Sequence, residues 1–374
     1  MIRIERVKTQ KQKREFVDFP IRLYRNVPWY LPSIYSDSLD SMNPKKNFAF
    51  SFCEARFYLA KQGSKTVGRI AAIINHKADE KWHKKQMRFW QVDFIDDHEV
   101  SAALFGVVEK WARERGCSEI VGPLGFTDLD LEGMLVKGFR ETGVFCTLYN
   151  FSYYRKHLKA LGYKKDVDWL EYKMNIPEKT DDMSTLARMS EFSQRVYGLH
   201  LKKCKSVKDI SDAVPEILKL LNLAYSELYA TTEMDIKQGT EYLRSFSPVL
   251  NPKTTALVYN EKEELVGFIF AIPDLSLAVK KSKGRMFPLG WLRILRAIKK
   301  QDEYIALLIG VHPQYQSQGV ITVLINELIE GFWALGVKTC RICPMLENNT
   351  KVLSLMNIIP SKPYKRRRSF IKKL

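Results

Sequence analysis

The chain has 374 residues, with 60 Lys and Arg against 42 Asp and Glu, a formal net charge of +18, 45% hydrophobic and 12% aromatic residues. That content excludes a disordered or fibrous chain and is enough for two sizeable cores. No apolar run approaches the roughly 20 residues of a membrane-spanning helix. Residues 1–14 contain no apolar signal region, so a cytoplasmic protein is expected. The positive charge suits nucleic acid, an anionic membrane surface or a polyanionic small molecule, and alone chooses none of them.

Residues 1–7 alternate apolar and charged residues, as a half-buried strand does. Residues 11–24 read as a helix with Phe16, Phe19 and Leu23 on one stripe and Pro20 kinking or dividing it. Residues 55–73 form two strands around Gly63-Ser64, a hairpin. A strand at 87–95 is followed by Asp96-Asp97, positioned to cap a helix at 100–115 that ends at Gly116. A short strand at 119–121, a helix at 153–161 and a strand at 169–175 complete this half.

The second half replays the order. A strand is expected at 197–203, an amphipathic helix at 215–229 with Ile217, Leu218, Leu221 and Tyr225 on one stripe, and a hairpin at 255–272. That hairpin matches the first at Tyr58 with Tyr259, Val67-Gly68 with Val266-Gly267, and Ala72-Ile73 with Ala271-Ile272. Self-similarity of this kind argues for duplication of one α/β unit. An insertion at 277–300 is found only in the second copy; its apolar Trp291, Leu292, Ile294, Leu295 and Ile298 face Arg293, Arg296, Lys299 and Lys300.

Residues 304–311 form an apolar run suited to a strand buried on both faces, stopped by His312-Pro313. Gly319 then opens a helical segment at 320–333. Strand, turn and helix N-terminus together make an anion site, because the first amides of a helix lack internal partners and the dipole is positive there. V-x-P-x-Y-Q-x-x-G-V at 311–320 resembles the acyl-CoA signature of the GNAT N-acyltransferase superfamily, Q/R-x-x-G-x-G/A. Gln316, Gly319 and Val320 fit it, whereas Ile321 replaces the usual Gly or Ala. The element order of each half is likewise that of a GNAT domain.

The resemblance implies an α/β (α+β) protein of two tandem acyl-CoA N-acyltransferase-like domains, each a mixed, mostly antiparallel sheet flanked by helices. Residues 1–176 would be the N-terminal domain, 177–190 a linker and 191–374 the C-terminal domain carrying the acyl-CoA motif. At the matching place the first copy reads D-F-I-D-D-H, acids where phosphates need amides, so no cofactor is expected there. The implied reaction moves an acetyl or longer acyl group from acyl-CoA to a small-molecule or peptide amine.

Amide formation from a thioester needs a donor for the oxyanion, a base for the ammonium and an acid for the thiolate. By resemblance, a backbone amide among Ile309, Gly310 and Val311 polarises the carbonyl. The amides of Gln318, Gly319, Val320 and Ile321 hold the pyrophosphate, with Gln316 and Ser317 assisting. Asn348 or Asn349 resembles the asparagine that contacts the pantetheine arm. Glu347 is the chosen base and Glu303 the other candidate. The family's tyrosine acid is replaced at Leu355 or Met356, which leaves Tyr304, Tyr315 and Tyr364 as substitutes. In the loop at 122–133, Asp128, Asp130 and Glu132 either recognise a substrate amine or form a solvated acidic surface.

Basic segments 279–300 and 362–373 offer contact with an anionic surface or RNA, the latter with its cations facing outward. Cys340 and Cys343 form a C-x-x-C on a strand, which points the two thiols to opposite faces, and no second pair completes a zinc site. No metal is expected. Two rival readings stay open: a catalytically silent GNAT-fold binding protein, and a Fem-like transferase using aminoacyl-tRNA.

Overall fold

Caps and turns chosen by local chemistry set the element boundaries, and a computed structural model describes residues 1–179, 181–299, 302–353, 356 and 361–374. Thr180, Lys300 and Leu355, which figure in the readings above, lie outside the described residues. The first half comprises β1 (Ile2–Arg6), α1 (Gln10–Leu23), α2 (Tyr35–Asp40), β2 (Cys53–Gln62), β3 (Lys65–Asn75) and α3 (His76–Lys81). It continues with β4 (Gln86–Phe94), α4 (His98–Glu114), β5 (Glu119–Gly122), β6 (Met134–Lys137), α5 (Tyr154–Ala160) and β7 (Lys164–Asn175). The second comprises α6 (Asp181–Tyr197), β8 (His200–Lys202), α7 (Val207–Tyr225), α8 (Ile236–Ser245), β9 (Thr255–Tyr259), β10 (Leu265–Pro273) and α9 (Ser276–Lys281). After these come α10 (Gly290–Lys299), β11 (Glu303–Val311), α11 (Val320–Leu335), β12 (Thr339–Leu346), α12 (Thr350–Leu353) and β13 (Ser361–Lys373).

Two boundaries differ from expectation. The strand expected from 197 is only β8, because α6 runs to Tyr197 and Gly198 turns the chain with φ +58°. The helix expected from 215 starts eight residues earlier, at a capping box in which Ser206 bonds the Asp209 amide and Asp209 bonds back. Pro215 sits inside it without ending it.

Among the described residues the strands form one sheet in the order β1-β2-β3-β4-β5-β13-β7-β12-β11-β10-β9-β8, with β6 beside β13. Only β4–β5 and β11–β12 are parallel. The two halves therefore enter from opposite edges with the same internal order. In each, a helix lies on the sheet where glycine allows close approach: a Cβ on Gly68 would meet a Leu104 methyl at 2.7 Å, and on Gly267 a Val320 methyl at 2.4 Å. The first half's core centres on Phe89, Phe94, Phe105 and Trp111, the second's on Tyr304, Val320, Leu324 and Phe332.

At the centre the halves exchange their last strands. β5 pairs with β13 rather than with β7, β12 pairs with β7 rather than with β13, and β7 and β13 lie antiparallel between them. This corrects the reading of 362–373 as an outward-facing basic run available to RNA. Lys365 and Arg367 are buried. Arg367 bonds Glu171 at 2.6 Å, Arg366 and Arg368 hold the buried Asp168, and Lys372 holds Glu109 at 2.7 Å. A strand in mid-sheet has no free edge, and these arginines and Lys372 meet carboxylates of β7 and α4 in the other half.

Candidate functional site

β11 and β12 pair over four residues, from Glu303 opposite Thr339 to Ala306 opposite Ile342, and then part. β11 continues along β10 to Val311, while β12 follows β7 through Met345 and Leu346. The register along β10 slips between Phe270 and Ala271, which leaves Leu307 as an extra, bulged residue at the parting. Residues 306–309 and 342–345, facing each other across it, are half-buried. The result is a V-shaped opening in mid-sheet.

Tyr225, the last residue of α7, donates its hydroxyl to the Ile309 carbonyl at 3.1 Å. A residue's N–H and C=O leave a strand on the same side. The Ile309 amide therefore also faces the opening, where β12 no longer supplies an acceptor.

Just past β11, Gly319 takes a left-handed conformation (φ +71°) and leads into α11 with no side-chain cap. The uncapped start of a 16-residue helix presents its first amides and the positive dipole end. Ser317 is exposed; Gln316, Gln318, Gly319 and Ile321 are half-buried. The Ile321 side chain packs against the second half's core, and Val320 is fully buried. α6 closes one side of the turn, so that a Cβ on Gly319 would lie 2.1 Å from Ser193 Oγ. Gly319→Ala is expected to destabilise the protein by about 1–3 kcal/mol, through left-handed strain and this overlap. Urea unfolding, read beside the wild type, measures it.

The first half supplies the facing wall. The segment between α7 and α8 crosses to it: Lys81 Nζ bonds the Ser226 carbonyl, Trp82 Nε1 the Thr231 carbonyl at 3.0 Å, and Arg88 Nη2 the Ala230 carbonyl at 3.1 Å. Buried Arg88 also holds the Gly125 carbonyl at 3.1 Å, and so fixes the loop carrying the three acids. That loop is half-buried rather than fully solvated. Burial pushes the Asp128 carboxyl up to about 6 against the pull of its own and the Thr232 backbone amides and of Arg88. Burial likewise raises Asp130, and it raises Glu132 well above the carboxylate range, with the Asp128 charge adding to the effect. Oε1 of Glu132 is buried with no hydrogen-bond partner among the described residues. Asp128 lies near enough to Tyr225 for its charge to oppose ionisation of that phenol. Cys146 of the first half meets Cys343 of β12, Sγ to Sγ 3.1 Å.

The equivalent place in the first half is narrowed by its own side chains to a cavity of about 40 Å³ beside Tyr24, Val92 and Asp93. β4 and β5 pair over three residues and then part. There Asp93, buried, accepts from Tyr24 at 2.6 Å and from Arg69 Nε at 2.7 Å, and the Phe94 amide donates to the Tyr154 hydroxyl at 2.8 Å. The Asp97 carboxylate caps α4 through the Glu99 and Val100 amides, occupying that helix N-terminus.

The structure thus brings together Ile309 to Val311, the turn at 316–319 and the start of α11. Most of the other candidates are held by protein partners. Glu347 is held by Lys165 at 2.5 Å, Arg366 at 3.3 Å and the Asp168 amide at 3.2 Å. Glu303 pairs with Arg341 at 3.0 Å at the closed end of the V. Tyr304 is in the core, edge-on to Phe332. Asn349 Oδ1 accepts from the Val352 amide, Asn348 is exposed and Met356 packs on the core. Tyr315 accepts from Asn260 at 2.9 Å, and Tyr364 donates to Glu171 at 3.4 Å. Sequence reasoning assigned Tyr225 to packing and passed over Arg88; neither carries a motif. Among the described residues no cluster of three or more His, Cys, Asp or Glu side chains is arranged to hold a metal ion.

Comparison with known proteins adds family context. Residues 214–356 match the Acetyltransferase (GNAT) family. Protein YghO of Escherichia coli is 25% identical over 370 residues, covering 96% of this chain and 93% of that protein. A bacterial ceramide synthase of Caulobacter vibrioides is 25% identical over 315 residues, covering 83% of this chain and 80% of the synthase. Among solved structures, a tandem GNAT protein from the clavulanic acid biosynthesis pathway superimposes over 100% of this chain and 98% of its own, with a TM-score of 0.57 at 10% identity.

Proposed function

The chain belongs to the GNAT superfamily, with two GNAT-fold units in tandem, and from that premise we propose that its C-terminal unit moves a long acyl group from acyl-CoA to the amine of a long-chain amino alcohol. One observation carries the reading. The opening between β11 and β12 lies beside an uncapped helix N-terminus on one side and the half-buried carboxylates of the 122–133 loop on the other. Its counterpart in the first half is narrowed by Tyr24 and Asp93 to a cavity of about 40 Å³, and Asp97 caps the helix beside it, which favours the C-terminal unit as the carrier of acyl-CoA. The acyl length and the acceptor follow the named activity of the Caulobacter relative, and the apolar Leu307, Leu308, Ile309, Ile342 and Met345 around the opening suit them.

In this reading the α11 amides and the turn at 316–319 hold the pyrophosphate, and the Ile309 amide polarises the thioester carbonyl. Asp128 takes one proton from the acceptor ammonium. The freed amine attacks the carbonyl carbon, the C–S bond breaks, and the second amine proton leaves with the thiol. Tyr225, bonded to the Ile309 carbonyl, steadies that peptide and relays that proton. Glu347 and Glu303, each paired with cations, act as structural acids.

The test mixes purified protein with acyl-CoAs from acetyl to palmitoyl, with sphinganine or ethanolamine, and follows free thiol together with the mass of the amide. Thiol release with palmitoyl-CoA and sphinganine is expected, as is stabilisation by palmitoyl-CoA alone of about 2.7 kcal/mol at a hundredfold excess over Kd. Turnover only with acetyl-CoA and ethanolamine, or no stabilisation by any acyl-CoA, overturns the reading.

A further inference from the structure

We propose that the α9–α10 insertion is a docking surface for an anionic lipid bilayer, beside the mouth of the site; the proposal extends the reading of a lipid acceptor and rests on it for its purpose. The inner face of α10, Ile294, Ala297 and Ile298, packs on Leu31, Leu275 and Val279 together with Phe145 and Val249. Phe145 and Val249 also pack against the cluster that includes Leu307 and Cys343, on the two sides of the opening. One layer of side chains therefore separates the insertion from the parted strands.

Elsewhere on the insertion large apolar groups are turned to solvent. Phe287 is 81% exposed, and Leu289, Trp291 and Leu295 are exposed on the same connection and helix. Every charged residue from 276 to 299 is Lys or Arg. Lys281, Lys283, Arg293, Arg296 and Lys299 are exposed among the apolar groups. Arg285 is engaged with Asp18 of α1 at 3.0 Å, which ties the connection to the body of the protein, and Arg293 holds the Lys281 carbonyl at 2.7 Å within the insertion. Among the described residues no helix is long and apolar enough to cross a membrane. The pattern is that of a surface lying in an interface, with apolar groups entering the acyl boundary and cations at the phosphates. A nucleic-acid backbone would use the cations but gain little from Phe287, Leu289 and Leu295.

The experiment is co-sedimentation of the full chain, without acyl-CoA, with vesicles of phosphatidylcholine alone or mixed equally with phosphatidylglycerol. Binding is expected to the mixed vesicles, weakened by salt. The triple variant F287S/L289S/W291S is expected to lower the partition constant by about tenfold for each residue. K283Q/R296Q/K299Q is expected to lower it by about fivefold for each cation. Because these side chains are exposed, thermal unfolding of both variants should match the wild type and so exclude misfolding. Equal binding to both vesicle types, or binding unchanged in the triple variant, overturns the proposal. So does displacement by RNA, or a wild-type dimer that the triple variant loses. No step needs turnover, so failure here leaves the acyl-transfer test standing, and failure of that test leaves this one readable.

Discussion

Asp128→Asn is expected to lower kcat/KM for amide formation by about 10²–10⁴-fold at neutral pH, the range of a positioned general base, while making the protein more stable. The two effects have one cause. Burial raises the folded-state pKa of Asp128 to about 6, above the usual value of about 3.9 in an unfolded chain. An acid shifted upward stabilises the fold fully only below its unfolded pKa, and that contribution is lost as pH rises through about 6. At neutral pH the buried carboxylate is ionised, and a shift of about two units corresponds to about 3 kcal/mol of destabilisation that the amide does not suffer. Wild-type activity should rise as pH passes about 6 and then level, whereas the variant should lack that limb. Glu347→Gln is the control. With its charge already paired to Lys165 and Arg366, its loss should leave kcat/KM within a few-fold and cost about 0–1 kcal/mol. Full activity of D128N, or collapse of E347Q with retained fold, would return the base to Glu347. Rate–pH profiles and denaturant melts of the two variants decide the matter.

What the sequence carried and what it hid follow from the range of each signal. Hairpins, caps and helix stripes are local, so the β2–β3 and β9–β10 ribbons, Asp97 at the start of α4 and Gly319 before α11 could be read from a few neighbours. So could the repeat, because Gly68 and Gly267 mark the same close approach in each half. The exchange of β7 and β13 left no such mark: period-two alternation says that a strand is paired, not with which partner. The basic run in β13 looked like surface because its acids, Asp168, Glu171 and Glu109, lie about two hundred or more residues away in sequence. For the same reason the acidic loop gave two equal readings. Its burial depends on Arg88 and on Ala230, and neither is near it in the chain. Tyr225 sat correctly on an apolar stripe, but a stripe does not reveal that its last hydroxyl reaches a strand.

Arg367→Met is expected to destabilise the whole chain by about 3–5 kcal/mol, because it strands a buried carboxylate. Glu171 and Arg367 are both almost inaccessible, bonded at 2.6 Å across the β7–β13 pair, and Arg367 also holds the Leu148 carbonyl. Since β5 rests on β13 and β12 on β7, loss of order at that pair deprives both halves of a neighbouring strand. Unfolding should therefore stay a single transition, shifted to lower denaturant for probes in either half, rather than splitting into a stable and an unstable unit. The pH dependence is a further check. Burial depresses the buried Lys365 amine to about 8, with Arg367 among the cations that push it down and Glu171 pulling it up. Removing Arg367 raises the Lys365 pKa, so its ammonium, which offsets part of the charge on Glu171, persists to higher pH. The native variant then carries more protons than the native wild type above about pH 8, and its stability relative to the wild type must fall as pH rises. A gap between the two proteins that widens from neutral pH towards alkaline pH, measured by denaturant melts followed in both halves, is the expected result. Two separated transitions would show that the exchanged strands do not couple the halves, and a gap independent of pH would show that Arg367 does not act on Lys365.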